Sequence, residues 1–336
     1  MAIVRWLIVG LIRLLVNRAQ IKIIIEWRGQ CALALVCFFV PFTNVLAEYE
    51  LKWGKDDRRE IYQGDRGLRN AALSVVALVP WTKLSETQNG YELHNSSDTL
   101  RSNNWCAEEP FSQQAIAASC TGFLIDKNRI VTAAHCVKNR RDNLKVKDFA
   151  AIFSFTNSKP TRSNLDNHSK WTFLSENVFP LKELIAYEKI DAINIDWAVV
   201  ELDKNRNEQY PSAPEIQLAY DQPKITDPLI IIGHPLGLPK KFSVGTRIQK
   251  HISDESIFRV AIDAYQGDSG APIFTRKNKE LQLVGLMTAG GKDNRISNNC
   301  RISATCKAQD GSQRCAGEIV VPINRVQDKI ILSQQD

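Results

Sequence analysis

Three short segments, far apart in the chain but each set beside an apolar β-type run, constrain this sequence more than anything else in it. They are Val131-Thr132-Ala133-Ala134-His135-Cys136, Ile195-Asp196-Trp197-Ala198-Val199-Val200 and Tyr265-Gln266-Gly267-Asp268-Ser269-Gly270-Ala271-Pro272. A serine between glycines is an accessible hydroxyl, but at neutral pH it is a poor nucleophile without a base. The imidazole of His135 titrates near neutrality and can take the proton, then return it to a leaving group. A carboxylate such as Asp196 on the other ring nitrogen fixes the tautomer and stabilises the imidazolium. Gly267, with no Cβ, can aim its N–H together with that of Ser269 at a developing oxyanion. Each segment alone has an ordinary explanation: a core histidine, an aspartate opening a strand, a turn. Their order and shared strand context make the triad reading the economical one.

The rest of the chain predicts an all-β architecture. Short β-branched and aromatic runs recur at Leu73–Val79, Gly122–Ile125, Arg129–Ala133, Phe149–Phe155, Leu184–Tyr187 and Trp197–Leu202, then at Leu229–Ile232, Phe242–Gln249, Ile257–Ile262, Pro272–Phe274, Leu281–Met287 and Glu318–Val321. Gly, Pro, Asn and Asp clusters separate them. A polar connector at Asp203–Pro214 divides them into two lobes, with His135 and Asp196 on the first and Ser269 on the second. Ile323, Val326, Lys329 and Ile330 follow helical spacing, which predicts a C-terminal helix over about 322–334. Residues 86–119 read as an inserted surface loop, and 291–316 as a second insertion carrying three cysteines.

Residues 1–47 read as an export signal: an apolar stretch at 31–43 behind Arg28, then Val45-Leu46-Ala47 as a small-residue cleavage site. If uncleaved, the segment is instead a membrane anchor. Segment 48–70 reads as an N-terminal extension or propeptide, with Arg66 and Arg69 as processing points. The formal charge of +6 includes five Lys/Arg against one Glu in the first 47 residues, so the remainder is near +2 and gives no ground for nucleic-acid binding. Cys106, Cys120, Cys136, Cys300, Cys306 and Cys315 remain after that segment, an even count suited to disulfides in a secreted or periplasmic protein. His94, His168, His234 and His251 lack metal-ligand spacing and read as surface or loop histidines.

The three motifs resemble those of the trypsin/chymotrypsin superfamily of serine peptidases, over about residues 71–330. Within it the chain looks closest to bacterial trypsin-like peptidases related to the V8-type glutamyl endopeptidases. That likeness rests on Gly54-Lys55-Asp56-Asp57-Arg58, on the run Gly233-His234-Pro235-Leu236-Gly237-Leu238-Pro239-Lys240-Lys241, and on Ala261-Ile262-Asp263-Ala264-Tyr265. The resemblance implies two six-stranded antiparallel β-barrels (about 71–205 and 215–322) with a C-terminal α-helix. It implies His135 as general base, Asp196 as orienting carboxylate, Ser269 as nucleophile and Gly267 with Ser269 as oxyanion hole. It further implies a Cys120–Cys136 bridge, while the other four cysteines keep three possible pairings. Thr288 matches a hydroxyl beside the buried aspartate. Asp268 matches the carboxylate that pairs with a new amino terminus in animal trypsins, although no Ile-Val-Gly-Gly sequence is present. Asp263 matches the floor of the primary pocket, with Gly290 and Gly317 on its walls. The implied protein is a secreted endopeptidase acting on proteins or peptides, without metal or organic cofactor, cleaving after Arg or Lys. The alternatives are a glutamyl-type or broad-specificity peptidase of the same fold, or a catalytically silent binding module.

Overall fold

The computed structural model describes residues 56–138, 145–159, 171–214, 216–219, 223–224, 226–245, 247–252, 257–291, 294–304 and 317–332, with 15–17 and 20–22 near the N-terminus. The chain divides into two compact units, Met1–Ala47 and Glu48–Asp336. In the first, strands β1 (Leu15–Asn17) and β2 (Gln20–Lys22) pair antiparallel. The apolar stretch 31–43 and the cleavage site behind it lie outside the described residues. Among the described residues no helix is long and apolar enough to cross a membrane.

The second unit runs β3 (Arg59–Glu60), α1 (Arg66–Ala71), β4 (Val75–Pro80), β5 (Leu84–Thr87), β6 (Gly90–Leu93), β7 (Cys120–Leu124), β8 (Arg129–Thr132), α2 (Ala134–Val137), β9 (Phe149–Ile152), β10 (Thr172–Leu174), β11 (Val178–Ile190) and β12 (Ile195–Leu202). Six of these strands close into an antiparallel barrel in the order β11-β12-β8-β7-β4-β9. β4 shows why closure is favoured: Val75 to Val79 are buried on both faces. Val76 and Leu78 pack with Ile130, Phe149 and Val200, while Ala77 and Val79 pack outward against Phe155 and Phe173. Removing two-sided apolar surface from water at ~25 cal/mol per Å² requires neighbours on both faces.

The second lobe contains β13 (Leu229–Gly233), β14 (Lys241–Gly245), β15 (Arg247–Ile252), β16 (Ile257–Ala261), β17 (Pro272–Lys277), β18 (Glu280–Ala289), the hairpin β19 (Asn294–Ser297) and β20 (Cys300–Ser303), β21 (Glu318–Pro322), and α3 (Ile323–Leu332). Its main sheet has eight strands in the order β15-β16-β21-β18-β17-β13-β14-β3. Because β14 and β15 are separated by a single residue, the sheet curls back to its own start, as a second barrel requires. α3 covers its end through buried Ile323 and Val326.

Two expectations are corrected here. The peptidase-like unit does not begin at 71. β3 is hydrogen-bonded to β14 through Glu60↔Lys241 and Arg59↔Phe242, Ile61 and Leu68 are buried, and Asp65 caps α1 by accepting from the Leu68 N–H. A cut at Arg66 or Arg69 would sever a strand from its sheet. The insertion at 86–119 is also more than a surface loop. β5, β6 and β10 form a sheet against the first barrel, and Leu100 and Trp105 bury themselves against Leu238. Its polar composition concealed this because few apolar residues suffice when their partners come from elsewhere in the chain.

The two insertions are joined by a Cys106–Cys300 disulfide across a sequence separation of 194, while Cys120–Cys136 closes the short bridge beside the histidine. Cys306 and Cys315 lie outside the described residues.

Candidate active site

His135 lies in the single turn α2, directly after β8 delivers Ala133 to the mouth of the first barrel. Asp196 is the second residue of β12, and the β8–β12 pairing sets the two segments side by side. One carboxylate holds the histidine at two points. Asp196 Oδ1 accepts the His135 backbone N–H at 2.9 Å, and Oδ2 lies 2.7 Å from Nδ1. That arrangement fixes ring position and directs Nε2 away from the acid. Lys189, on β11, places Nζ 4.0 Å from the same Oδ2, a neighbour the sequence did not single out. The imidazole keeps 34% of its side-chain exposure against 15% for the aspartate, so the base faces the cleft and the acid lies behind it.

Ser269 belongs to the second lobe, and Thr121 on β7 ties its backbone to the first. Thr121 donates its N–H to Ser269 O at 2.9 Å and its hydroxyl to Gly267 O at 2.7 Å. The same hydroxyl accepts the His234 N–H at 3.0 Å, and Thr121 O accepts from Thr132 Oγ1 at 2.7 Å. The three bonds of the Thr121 and Thr132 hydroxyls are buried, where an unmade hydrogen bond costs about 1–3 kcal/mol. The only sequence signal for Thr121 was its place between Cys120 and Gly122 at the start of an apolar run.

The loop before Ser269 is a tight turn. Asp268 N–H donates to Tyr265 O at 2.8 Å, and Asp268 Oδ2 accepts the Tyr265 N–H at 2.9 Å. Leu236 N–H donates to Gln266 O at 2.6 Å, which turns the N–H of the trans Gln266–Gly267 peptide to the opposite side. Gly267 has φ +100, and a Cβ there would come within 2.4 Å of His234 O, so only glycine fits. Gly270 has φ +87, and its Cβ would meet Thr121 O at 2.3 Å. The N–H groups of Gly267 and Ser269 have no described hydrogen-bond partner, as donors awaiting an oxyanion require.

The remaining expected residues fall less neatly. Thr288 is buried, but its hydroxyl donates to Ile319 O at 3.4 Å rather than to Asp196, because β18 directs it along its own sheet toward β21. Gly290 and Gly317 meet at Glu318, which sequence reading missed. A Cβ on Gly290 would lie 1.6 Å from Glu318 Oε2, and Gly317 has φ +83. Asp263 faces the N-terminal strap, where its Oδ2 accepts the Asp57 N–H at 3.0 Å. Burial, followed by the neighbouring Asp57 carboxyl, pushes Asp263 up to about 7, and burial raises Asp57 as well. His234 is fully buried, correcting its reading as a surface or loop residue: it stacks on Phe155 at 5.8 Å between ring centres, and its Nδ1 lies 3.0 Å from Leu238 O. Burial, then the charge of Lys240, holds its pKa well below the ordinary imidazole range. Cys120, His135 and Cys136 cluster closely enough to suggest metal ligands, but the two sulfurs are bonded to each other and offer no thiolate.

Two predictions follow from these contacts. Thr121→Val keeps the side-chain shape but removes one donor and one acceptor; we expect about 2–3 kcal/mol of destabilisation by urea unfolding, with Gly267 and Ser269 left imperfectly held. Asp263, whose folded pKa is raised above the ordinary 3.8, contributes stability that is full below 3.8 and is lost as pH rises through about 7. The unfolding midpoint should therefore fall between pH 4 and 8, and Asp263→Asn should flatten that slope; a slope unchanged by the substitution would contradict the assignment.

Residues 120–286 match the family model for the trypsin-like peptidase domain. No curated relative matches the chain. A crystal structure of the serine endoprotease from Yersinia pestis is 13% identical, covering 80% of this chain and 66% of that one at a TM-score of 0.45, so this chain spans slightly less than two thirds of its length. The matched segment begins with β7, the second strand before the histidine turn, and ends within β18, the second strand after the serine, and it is a trypsin-like peptidase domain.

Proposed function

We propose that the protein is an exported serine endopeptidase in which Ser269 attacks the scissile carbonyl, His135 takes and returns the proton, and Asp196 steadies the imidazolium. The observation that carries this reading is the double hold of Asp196 on His135, combined with the Thr121 tie that brings the serine backbone to the same strand pair. As the tetrahedral intermediate forms, its oxyanion would take the N–H groups of Gly267 and Ser269. Collapse to an acyl-enzyme expels the amine, protonated by His135, and water then enters by the same base.

Cleavage after Arg or Lys is the preference this site supports best. Glu318 sets a carboxylate against Gly290, which the resemblance puts on the pocket wall, while Asp263, which it puts at the floor, accepts from Asp57 of the strap. Charge-assisted hydrogen bonds to a guanidinium or ammonium would repay the desolvation of these acids. Export is supported by the two disulfides and by the signal-like segment 1–47.

A fluorophosphonate probe tests the activity. The protein should label and Ser269→Ala should not, whereas an unlabelled but correctly folded protein would favour the silent binding module. Asp196→Asn should lower kcat by about 10⁴ through the wrong imidazole tautomer. Sequencing the mature N-terminus in the same preparation checks export processing, with the cut expected after Ala47. For specificity, Glu318→Gln should lower kcat/KM on Arg substrates by about ten- to a hundredfold, the worth of one charged hydrogen bond, with little effect on a neutral residue at that position. Equal losses on both substrate types, or equal wild-type cleavage after Glu and Arg, would remove the basic-residue reading.

A further inference from the structure

Arg58, in the motif Asp56-Asp57-Arg58, takes no part in the chemistry above. The Arg58 side chain is fully buried. Its Nε donates to both oxygens of Asp56 at 3.0 Å, its Nη2 also reaches Asp56, and Nη2 donates to Glu109 Oε1 at 2.9 Å. The guanidinium carbon lies 4.2 Å from the ring centre of Tyr265, a residue at the head of the nucleophile turn. Glu109 continues the circuit: its Oε2 accepts the Ser303 N–H at 2.9 Å and its Oε1 accepts the Ser303 hydroxyl at 2.5 Å. Ser303 also neighbours the Tyr265 phenol, whose titration burial raises, and so brings the circuit back to the ring.

Burying a guanidinium with two carboxylates brings no assured gain in stability, because the desolvation cost offsets the attraction. What such a ring does supply is a fixed position for the group it encloses. Here that group is Tyr265, whose backbone N–H and C=O both form the turn with Asp268, two residues before the proposed donor of Gly267 is fixed against Leu236. The three contributors come from the N-terminal strap, the first insertion and the second insertion, and Cys106–Cys300 locks the last two together. A guanidinium suits the task better than an ammonium, being planar: it can stack on a ring face and fork to two acids at once.

We infer that Arg58, through Tyr265, is a positioning residue for the oxyanion donors, and that the ring Arg58–Glu109–Ser303–Tyr265 internally organises the nucleophile loop. It would serve without any contribution from a newly cut amino terminus. This rests on the peptidase reading, so the test includes a readout independent of turnover.

The experiment compares the disulfide-bonded mature protein with Arg58→Ala, Arg58→Lys and Ser303→Ala. Arg58→Ala should lose about ten- to a hundredfold in kcat on a peptide amide, the scale expected when donors shift by a fraction of an ångström to an ångström. KM should stay within about twofold, since ground-state binding is untouched. Affinity for a peptide aldehyde, which forms the tetrahedral adduct, should fall by the same factor as kcat. Arg58→Lys should recover little, and added guanidinium ion should partly restore Arg58→Ala. Ser303→Ala, at the half-buried edge of the ring, should give a smaller loss of the same kind. Hydrogen exchange at residues 265–269 should quicken in Arg58→Ala whether or not the protein turns over. A folded Arg58→Ala with wild-type kcat and unchanged exchange would overturn the inference, as would a loss confined to KM. Should Arg58→Ala fail to fold, wild-type kcat and aldehyde affinity in Ser303→Ala would overturn it instead. An inert wild type whose exchange still responds to Arg58→Ala would count against the peptidase reading while leaving the organiser intact.

Discussion

The site is split between two lobes, so everything depends on what holds one lobe in register with the other. Thr121 supplies that register. A single residue of the first barrel donates to the carbonyls of both Gly267 and Ser269 and accepts from His234, the residue after β13. The histidine turn is joined to the same strand by Cys120–Cys136, so base and nucleophile are referenced to one short piece of backbone. Hydrophobic contact between the lobes would favour association without specifying register, since it lacks direction. Buried hydrogen bonds have direction, and each becomes costly when displaced. The close approach of Gly270 to Thr121 O and Thr132 Oγ1 belongs to the same constraint: the second glycine of the serine motif exists to let the lobes meet.

Charge is buried around this seam to an unusual degree. Besides Arg58, Lys241 Nζ donates to Glu60 at 3.1 Å, to Gln114 at 2.8 Å and to Pro239 O at 2.8 Å. Lys240 is buried with only carbonyl partners, Ala72 O at 2.7 Å and Phe153 O at 3.1 Å, and burial lowers its pKa to about 7. Apolar residues of similar volume would often serve stability as well or better. The pattern makes sense as register: these groups bind the strap, the first insertion and β14 in one arrangement, because a slip by one residue would leave each buried group without its hydrogen-bond partners. Segments 54–58 and 261–265 meet here through Asp57 on Asp263 and Arg58 on Tyr265, and Glu60, just beyond the first, holds Lys241.

How much of this was legible depended on the distance over which each signal acts. Eleven of the twelve apolar runs fall on a single strand each and Phe242–Gln249 spans β14 and β15, because alternation and β-branching are local properties while the turn between those two strands is not marked by them. Boundaries failed where solvent exposure decided them. Leu184–Tyr187 lies within β11, whose outer half is a charged, half-exposed hairpin arm that no apolar pattern marks. The triad and the glycines of the serine loop were legible because their chemistry demands particular residue types. Thr121, Glu109 and Glu318 were not, since nothing local distinguishes a threonine or glutamate that will be buried against a partner far away in the sequence. Thr288 and His234 show the same limit in reverse: residue type suggested a role or a surface setting, and strand direction and packing decided otherwise.

The strap also bears on Asp268, the residue for which the sequence offered no activating amino terminus. Its Oδ2 is used by the Tyr265 N–H, within the turn itself. A turn stabilised only by its own four residues would be marginal, because local hydrogen bonds in a loop compete with water. Tyr265 removes that competition by being buried under Arg58. The contacts that accomplish this join residue 58 to 265 and residue 109 to 303, so they form only after both lobes and both insertions are in place. A loop organised in this way follows from completed folding, and its shape is coupled to the Cys106–Cys300 bond without that bond touching the nucleophile.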